Sequence, residues 1–166
     1  VWQGVKGIYK QAEQRHDLAM LGVLCYRLDD QPKLGEGDIS RGTWLYMRRR
    51  AWRYLRQLGQ AMPELFPVFA GQVLRHYPEP QPLHQCWILN QIWRHKDLIG
   101  KTDQGVVSPH GLPEKLDRRA FDDAWKISPA PLLRLLEDAR NAQVCDFAIR
   151  CLDQDFKDSL RHVEPA

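Results

Sequence analysis

Apolar residues recur along this chain at the three- and four-residue spacing of α-helices, and the segments that carry them come in pairs. Val5, Ile8, Tyr9 and Ala12 fall at i, i+3, i+4 and i+7, and after Asp17, placed to cap a helix start, Leu21, Leu24, Cys25 and Leu28 repeat the template. Asp29 to Gly42, rich in Pro, Gly and Asp, reads as a loop. A second pair follows: Met47, Ala51, Tyr54, Leu55 and Leu58, then, beyond Pro63, Phe66, Phe69, Ala70, Val73, Leu74 and Tyr77.

Pro78, Pro80 and Pro82 punctuate the next boundary, after which Leu89, Ile92 and Trp93, with Cys86 and Ile88 beside them, make a fifth helical face. Its partner is expected over Leu116, Ala120, Ala124 and Ile127, across a polar stretch from Lys96 to Glu114 that is long enough to be a functional loop. Ser128 is placed to cap a further helix with Pro129 in its first turn and Leu132, Leu135, Leu136 and Ala139 as its stripe. Val144, Phe147, Ala148 and Cys151 form the second helix of that pair, and a separate short segment with Phe156, Leu160 and Val163 closes the chain. No stretch alternates apolar and polar residues well enough to compete as a strand, so the expected class is all-α. The pairs start near residues 5, 43, 83 and 129, at spacings of 38, 40 and 46. Helical hairpins repeating every ~40 to 47 residues are the signature of HEAT and armadillo solenoids, which predicts about four stacked antiparallel pairs in one domain spanning 1–166. An irregular bundle of the same pairs is the alternative.

Composition narrows the class without naming a chemistry. The 166 residues, 43% hydrophobic and 27% charged, can bury a core without disulfides or a structural metal. The longest uncharged apolar run, Leu18 to Tyr26, is far shorter than the ~20 residues of a membrane-spanning helix, so no membrane partner is expected. Cys25, Cys86, Cys145 and Cys151 contain no C-x-x-C pair; they read as reduced, mostly buried thiols, which suits a cytoplasmic location, and no metal or cofactor is expected. The chain opens on Val1, which suggests a segment of a longer protein.

Charge is distributed unevenly. The net charge is only +3, yet Arg41 to Pro63 holds six arginines (Arg41, Arg48, Arg49, Arg50, Arg53 and Arg56) and no acid. On a helical wheel with Arg48 at zero, Met47, Ala51, Tyr54, Leu55 and Leu58 fall between about 240° and 340°, and Arg49, Arg53 and Arg56 between about 80° and 140°. The candidate binding face is therefore Arg49, Arg53 and Arg56, flanked by Arg50 and Trp52, with the Lys96 to Glu114 loop as a second contact. Guanidinium groups in such a row suit carboxylates or phosphates, and Trp52, near 40°, is the one candidate to stack on a base. Against a dedicated nucleic-acid binder stands the pI of about 8.7 and a second half with a slight acidic excess. The bland alternative is that these arginines are solvated or meet acids of a neighbouring helix.

No catalytic signature appears. Asp122 with Asp123, and Glu137 with Asp138, are adjacent on predicted helices and point about 100° apart, so they do not converge as a general acid and base. The six histidines are scattered, without H-E-x-x-H, and no G-x-S-x-G or phosphate-cradling glycine pattern occurs. The six tryptophans read as packing residues.

The run Thr43 to Gly59, TWLYMRRRAWRYLRQLG, followed by a Pro and a helix ending His76-Tyr77, resembles a recurring block of large bacterial proteins that carry HEAT-like repeats, often with a WGR domain, some labelled molybdate metabolism regulators. The opening Tyr9 to Asp17 and the pattern from Pro131 to Leu152 are similar to its flanking blocks, although no WGR tripeptide occurs here. The resemblance implies a non-catalytic scaffold that contacts a protein partner or a neighbouring domain of the same chain. Nucleic-acid binding through the Arg-rich helix is the second reading, and a HEAT-like enzyme acting on DNA bases the third.

Overall fold

The computed structural model describes residues 2–30, 39–81, 83, 86–93 and 119–161. Among them the elements are all helical: α1 (Trp2–Gln14), α2 (Leu18–Asp29), α3 (Arg41–Ala61), α4 (Phe66–Leu74), α5 (Trp87–Trp93), α6 (Asp122–Trp125), α7 (Ala130–Asp138) and α8 (Ala142–Arg161). None is long and apolar enough to cross a membrane. The Lys96 to Glu114 loop, Leu116 and Val163 lie outside the described residues.

Local chemistry accounts for the boundaries. Between α1 and α2 the chain reverses through His16 in the left-handed region at φ 52°, with the Asp17 amide donating to the Ala12 carbonyl at 2.9 Å. Asp17 then caps α2 by accepting from the Met20 amide at 3.0 Å, and Ser40 does the same for α3 through the Thr43 amide at 3.2 Å. Pro67 and Pro131 sit in the first turns of α4 and α7, where a missing N–H costs nothing.

The first two helix pairs meet mainly through α2 and α4, with side-chain bonds between α1 and α3. α1 runs parallel to α3, joined by Glu13 to Arg50 at 2.6 Å and by His16 to Tyr54 at 2.8 Å. α2 packs on α4 so closely that a Cβ at Gly22 would lie 2.3 Å from the Gln72 carbonyl oxygen. Gly22→Ala should therefore push two backbones apart, and the gain in helix propensity, at most ~1 kcal/mol, does not offset it. A net loss of about 1–3 kcal/mol, read from the urea midpoint, is expected.

α4 is the hub of the core and packs against α2, α3, α5, α6 and α7. An aromatic chain continues from it: Phe66 meets Trp125 edge to face at 5.9 Å, Trp125 meets Phe147 at 5.3 Å, and Phe147 meets Trp93 at 6.0 Å. Two edge-to-face contacts and one tilted one add to the burial of four large rings and tie α8 to the core. α5 also reaches back to α2, so packing extends beyond successive pairs.

Three local expectations fail. Ile8, assigned to the apolar stripe of α1, is 47% exposed. The partner helix anticipated over Leu116 to Ile127 is, among its described residues, the single turn α6, because Phe121 adopts φ 52° and breaks the helix before it; Ile127, assigned to the apolar stripe, is 55% exposed. The short closing segment is no separate element. α8 runs unbroken to Arg161 with Phe156 on its buried face, because no Gly or Pro interrupts Asp153 to Leu160.

Candidate partner-binding face

The six arginines of the acid-free stretch separate by where α3 points them. Arg48 turns inward. Its side chain is only 5% exposed, and its Nη2 donates to Asp29 Oδ1 at 2.8 Å. The guanidinium also lies over the Trp44 ring at 3.9 Å and within 5.4 Å of Trp87, while Nε and Nη1 have no hydrogen-bond partner among the described residues. Flat contact with indole suits a weakly hydrated cation in this position.

Asp29 is the centre of that buried node. Its carboxylate, 0% exposed, accepts from Arg48, from Tyr77 Oη at 2.9 Å, and from the backbone amides of Ile88 at 2.9 Å and Leu89 at 3.2 Å. Those amides belong to the first turn of α5, where Cys86 offers no oxygen to cap them. Asp29 thus acts as a cap supplied from another helix, with the favourable charge for a helix N-terminus. Burial, then the neighbouring carboxylate, hold the Tyr77 phenol well above its ordinary pKa, so it remains a donor.

Arg50 is bound sideways to α1. Its Nε donates to Glu13 Oε2 at 2.6 Å and its Nη1 to Tyr46 Oη at 3.1 Å. Hydrogen bonding from Arg50, with the charges of Lys10 and Lys6 nearby, lowers the Tyr46 pKa. Lys6 stands over the Tyr46 ring at 4.8 Å. Two lysines of α1 therefore adjoin the basic side of α3, a feature carried by no single stretch of sequence.

Arg49 and Arg53 are exposed, and half-buried Arg56 lies over the half-buried Trp52 ring at 5.2 Å. The outward face of α3 is consequently Arg49, Arg53 and Arg56, edged by Trp52 on one side and by Tyr46 with Lys6 on the other.

No family model, curated protein or solved structure matches this chain.

The face rests on its own geometry. Among the described residues no three His, Cys, Asp or Glu side chains gather into a metal-holding group. A second buried cation was not singled out by sequence. Arg119, 0% exposed in its side chain, donates to Asp122 at 2.9 Å, Asp155 at 2.6 Å and the Cys151 sulfur at 2.8 Å. It locks the turn before α6 onto α8. Burial pushes the Cys151 thiol up to about 11 despite this cation, and it drives the Cys25 thiol higher still, so both behave as core residues at neutral pH.

Proposed function

We propose that this chain is a non-catalytic, HEAT-like helical-repeat scaffold within a larger bacterial protein, and that the outward face of α3 contacts an acidic surface on a protein partner or a neighbouring domain. The observation that carries this reading is the division of labour among the arginines. Arg48 and Arg50 are consumed by Asp29 and Glu13, while Arg53 and Arg56 stand beside Trp52 on the outer side of the same helix. Arg and Trp side by side, with large buried stems and exposed charge, are the residue types that anchor interfaces. The packing of α2 on α4, with α1 bonded alongside α3, supports consecutive hairpin repeats.

Arg49, Arg53 and Arg56 changed together to Glu should leave far-UV circular dichroism nearly unchanged and lower the urea midpoint only slightly, since Arg49 and Arg53 are exposed and Arg56 is half-buried. Capture from cells that express the intact parent protein should recover an acidic partner with the wild-type chain and lose it with the triple variant. Equal recovery by both would overturn the assignment of this face.

Nucleic acid is the second reading, favoured by Lys6 and Lys10 extending the basic surface from α3 onto α1. Binding to a single-stranded oligonucleotide through about three to five phosphates would give log K falling against log salt with a slope of roughly −2 to −3.5. A flat salt response would exclude this reading.

A further inference from the structure

α4 and α7 run side by side in the same direction and leave a groove of about 250 Å³ between them. Their relative placement is fixed at one end by Arg75 pairing with Asp138 at 3.2 Å, and along its length by Gly71, where a Cβ would lie 3.8 Å from the Pro131 carbonyl. Because position 71 has no side chain, the space above it stays open. The walls are apolar, formed by Pro67, Val68, Ile127, Pro131 and Leu135. Ile127, 55% exposed, is an apolar side chain the core does not use.

Two polar groups interrupt these walls in a manner that suits a peptide better than a hydrocarbon chain. Ser128 Oγ accepts from the Ala130 amide at 3.2 Å, which leaves its hydroxyl proton to donate. Gln72 Oε1 accepts from Arg75 at 3.3 Å, which leaves its amide N–H groups to donate. Side-chain donors between apolar walls match the carbonyls of an extended backbone; a lipid tail has no acceptor for them.

Charge sets the direction. At the C-terminal end of the helices the groove is bordered by Arg75, Arg134 and Asp138, one cation in excess, and Arg134 makes no hydrogen bond or ion pair with the described residues. At the other end stands Glu64, likewise without such a partner. Glu64 and Arg75 flank the nine residues of α4, and the eleven steps between them span about 16 Å at ~1.5 Å per residue, which an extended peptide covers in roughly five residues.

We propose that the α4–α7 groove binds a short extended peptide of about five residues, apolar in its middle, with a carboxylate between Arg75 and Arg134 and a basic group beside Glu64. The site is separate from the basic face of α3 and stands or falls independently of it. Arginine paired with a carboxylate over an apolar floor gives both orientation and specificity.

The probe is the pentapeptide Lys-Ala-Leu-Ala-Leu, titrated calorimetrically into the full chain as the free acid and as the C-terminal amide. The free acid should bind at least tenfold more tightly, and Arg134→Glu, a change on the surface, should abolish that preference. Gly71→Leu should fill the groove and remove binding of both forms. A third peptide, Lys-Ala-Leu-Ala-Glu amide, should bind as weakly as the C-terminal amide, which assigns the site to a terminal carboxylate; binding like the free acid would overturn that assignment. No heat at millimolar peptide, or equal affinity for acid and amide in the wild type, would overturn the proposal. So would a concentration-dependent dimer dissolved by Gly71→Leu, which would give the groove to a second copy of the chain.

Discussion

Asp29→Ala is expected to destabilise the fold by about 3–5 kcal/mol, the range seen when one partner of a buried ion pair is removed. With a typical domain stability of about 5–15 kcal/mol, that is a large fraction of the whole. The size follows from how many groups lose their acceptor at once: the Arg48 guanidinium, the Tyr77 hydroxyl and the amides of Ile88 and Leu89. Arg48 is the costliest of these, because among the described residues Nε and Nη1 are already without partners and its remaining compensation is the Trp44 and Trp87 rings. The measurement is the urea midpoint at constant m, together with hydrogen exchange at Ile88 and Leu89, which should speed up selectively. Adding Arg48→Met to Asp29→Ala should recover part of the loss, since it removes the orphaned charge; a double-mutant cycle should give a coupling above about 1 kcal/mol. Additivity of the two changes would refute the node.

Arg119→Leu should cost about 3 kcal/mol or more. Leucine fills much of the volume but leaves Asp155, whose side chain is only 6% exposed, facing an apolar group where Nη2 had donated at 2.6 Å. Asp122 suffers less, because it is 20% exposed and also pairs with Lys126. The loss should therefore be largely reversed by Asp155→Leu in the same background and hardly at all by Asp122→Leu. Equal rescue by both would place the energetic weight elsewhere than the α8 contact.

Periodicity carried most of the fold. The stripes of α2, α3, α4 and the first half of α8 are largely buried where their spacing places them, because each is a continuous amphipathic helix; Asp17 and Ser40 mark the starts of α2 and α3 and Pro67 that of α4, while in α7 Leu132 and Leu135 are buried and Leu136 and Ala139 only half-buried. The third pair was poorly legible for a physical reason. α5 has seven residues and no side-chain cap of its own, and α6 is one turn entered through a left-handed Phe121, so neither boundary is written in local sequence.

The Arg-rich helix was half legible. Its wheel separates the outward Arg49, Arg53 and Arg56 from the core, but Arg48 at 0° stands only about 20° beyond Leu55, and that proximity was the signal that it is buried. What Arg48 would meet there was not readable, since Asp29 lies 19 residues earlier at the end of a different helix. The lysines of α1 beside Tyr46 were invisible for the same reason: the face they extend exists only once α1 lies along α3.

The cap that Asp29 lends to α5 also orders the assembly of the chain in time. A seven-residue helix cannot hold itself together in water, since nucleation costs more than its few internal hydrogen bonds return. The carboxylate that completes its first turn is 59 residues away in sequence, and joining the two closes a long loop at an entropic cost. α5 is therefore expected to gain hydrogen-exchange protection only after the first two hairpins have brought Asp29, Arg48 and Tyr77 together, as a late-forming keystone of the fold and not one of its seeds.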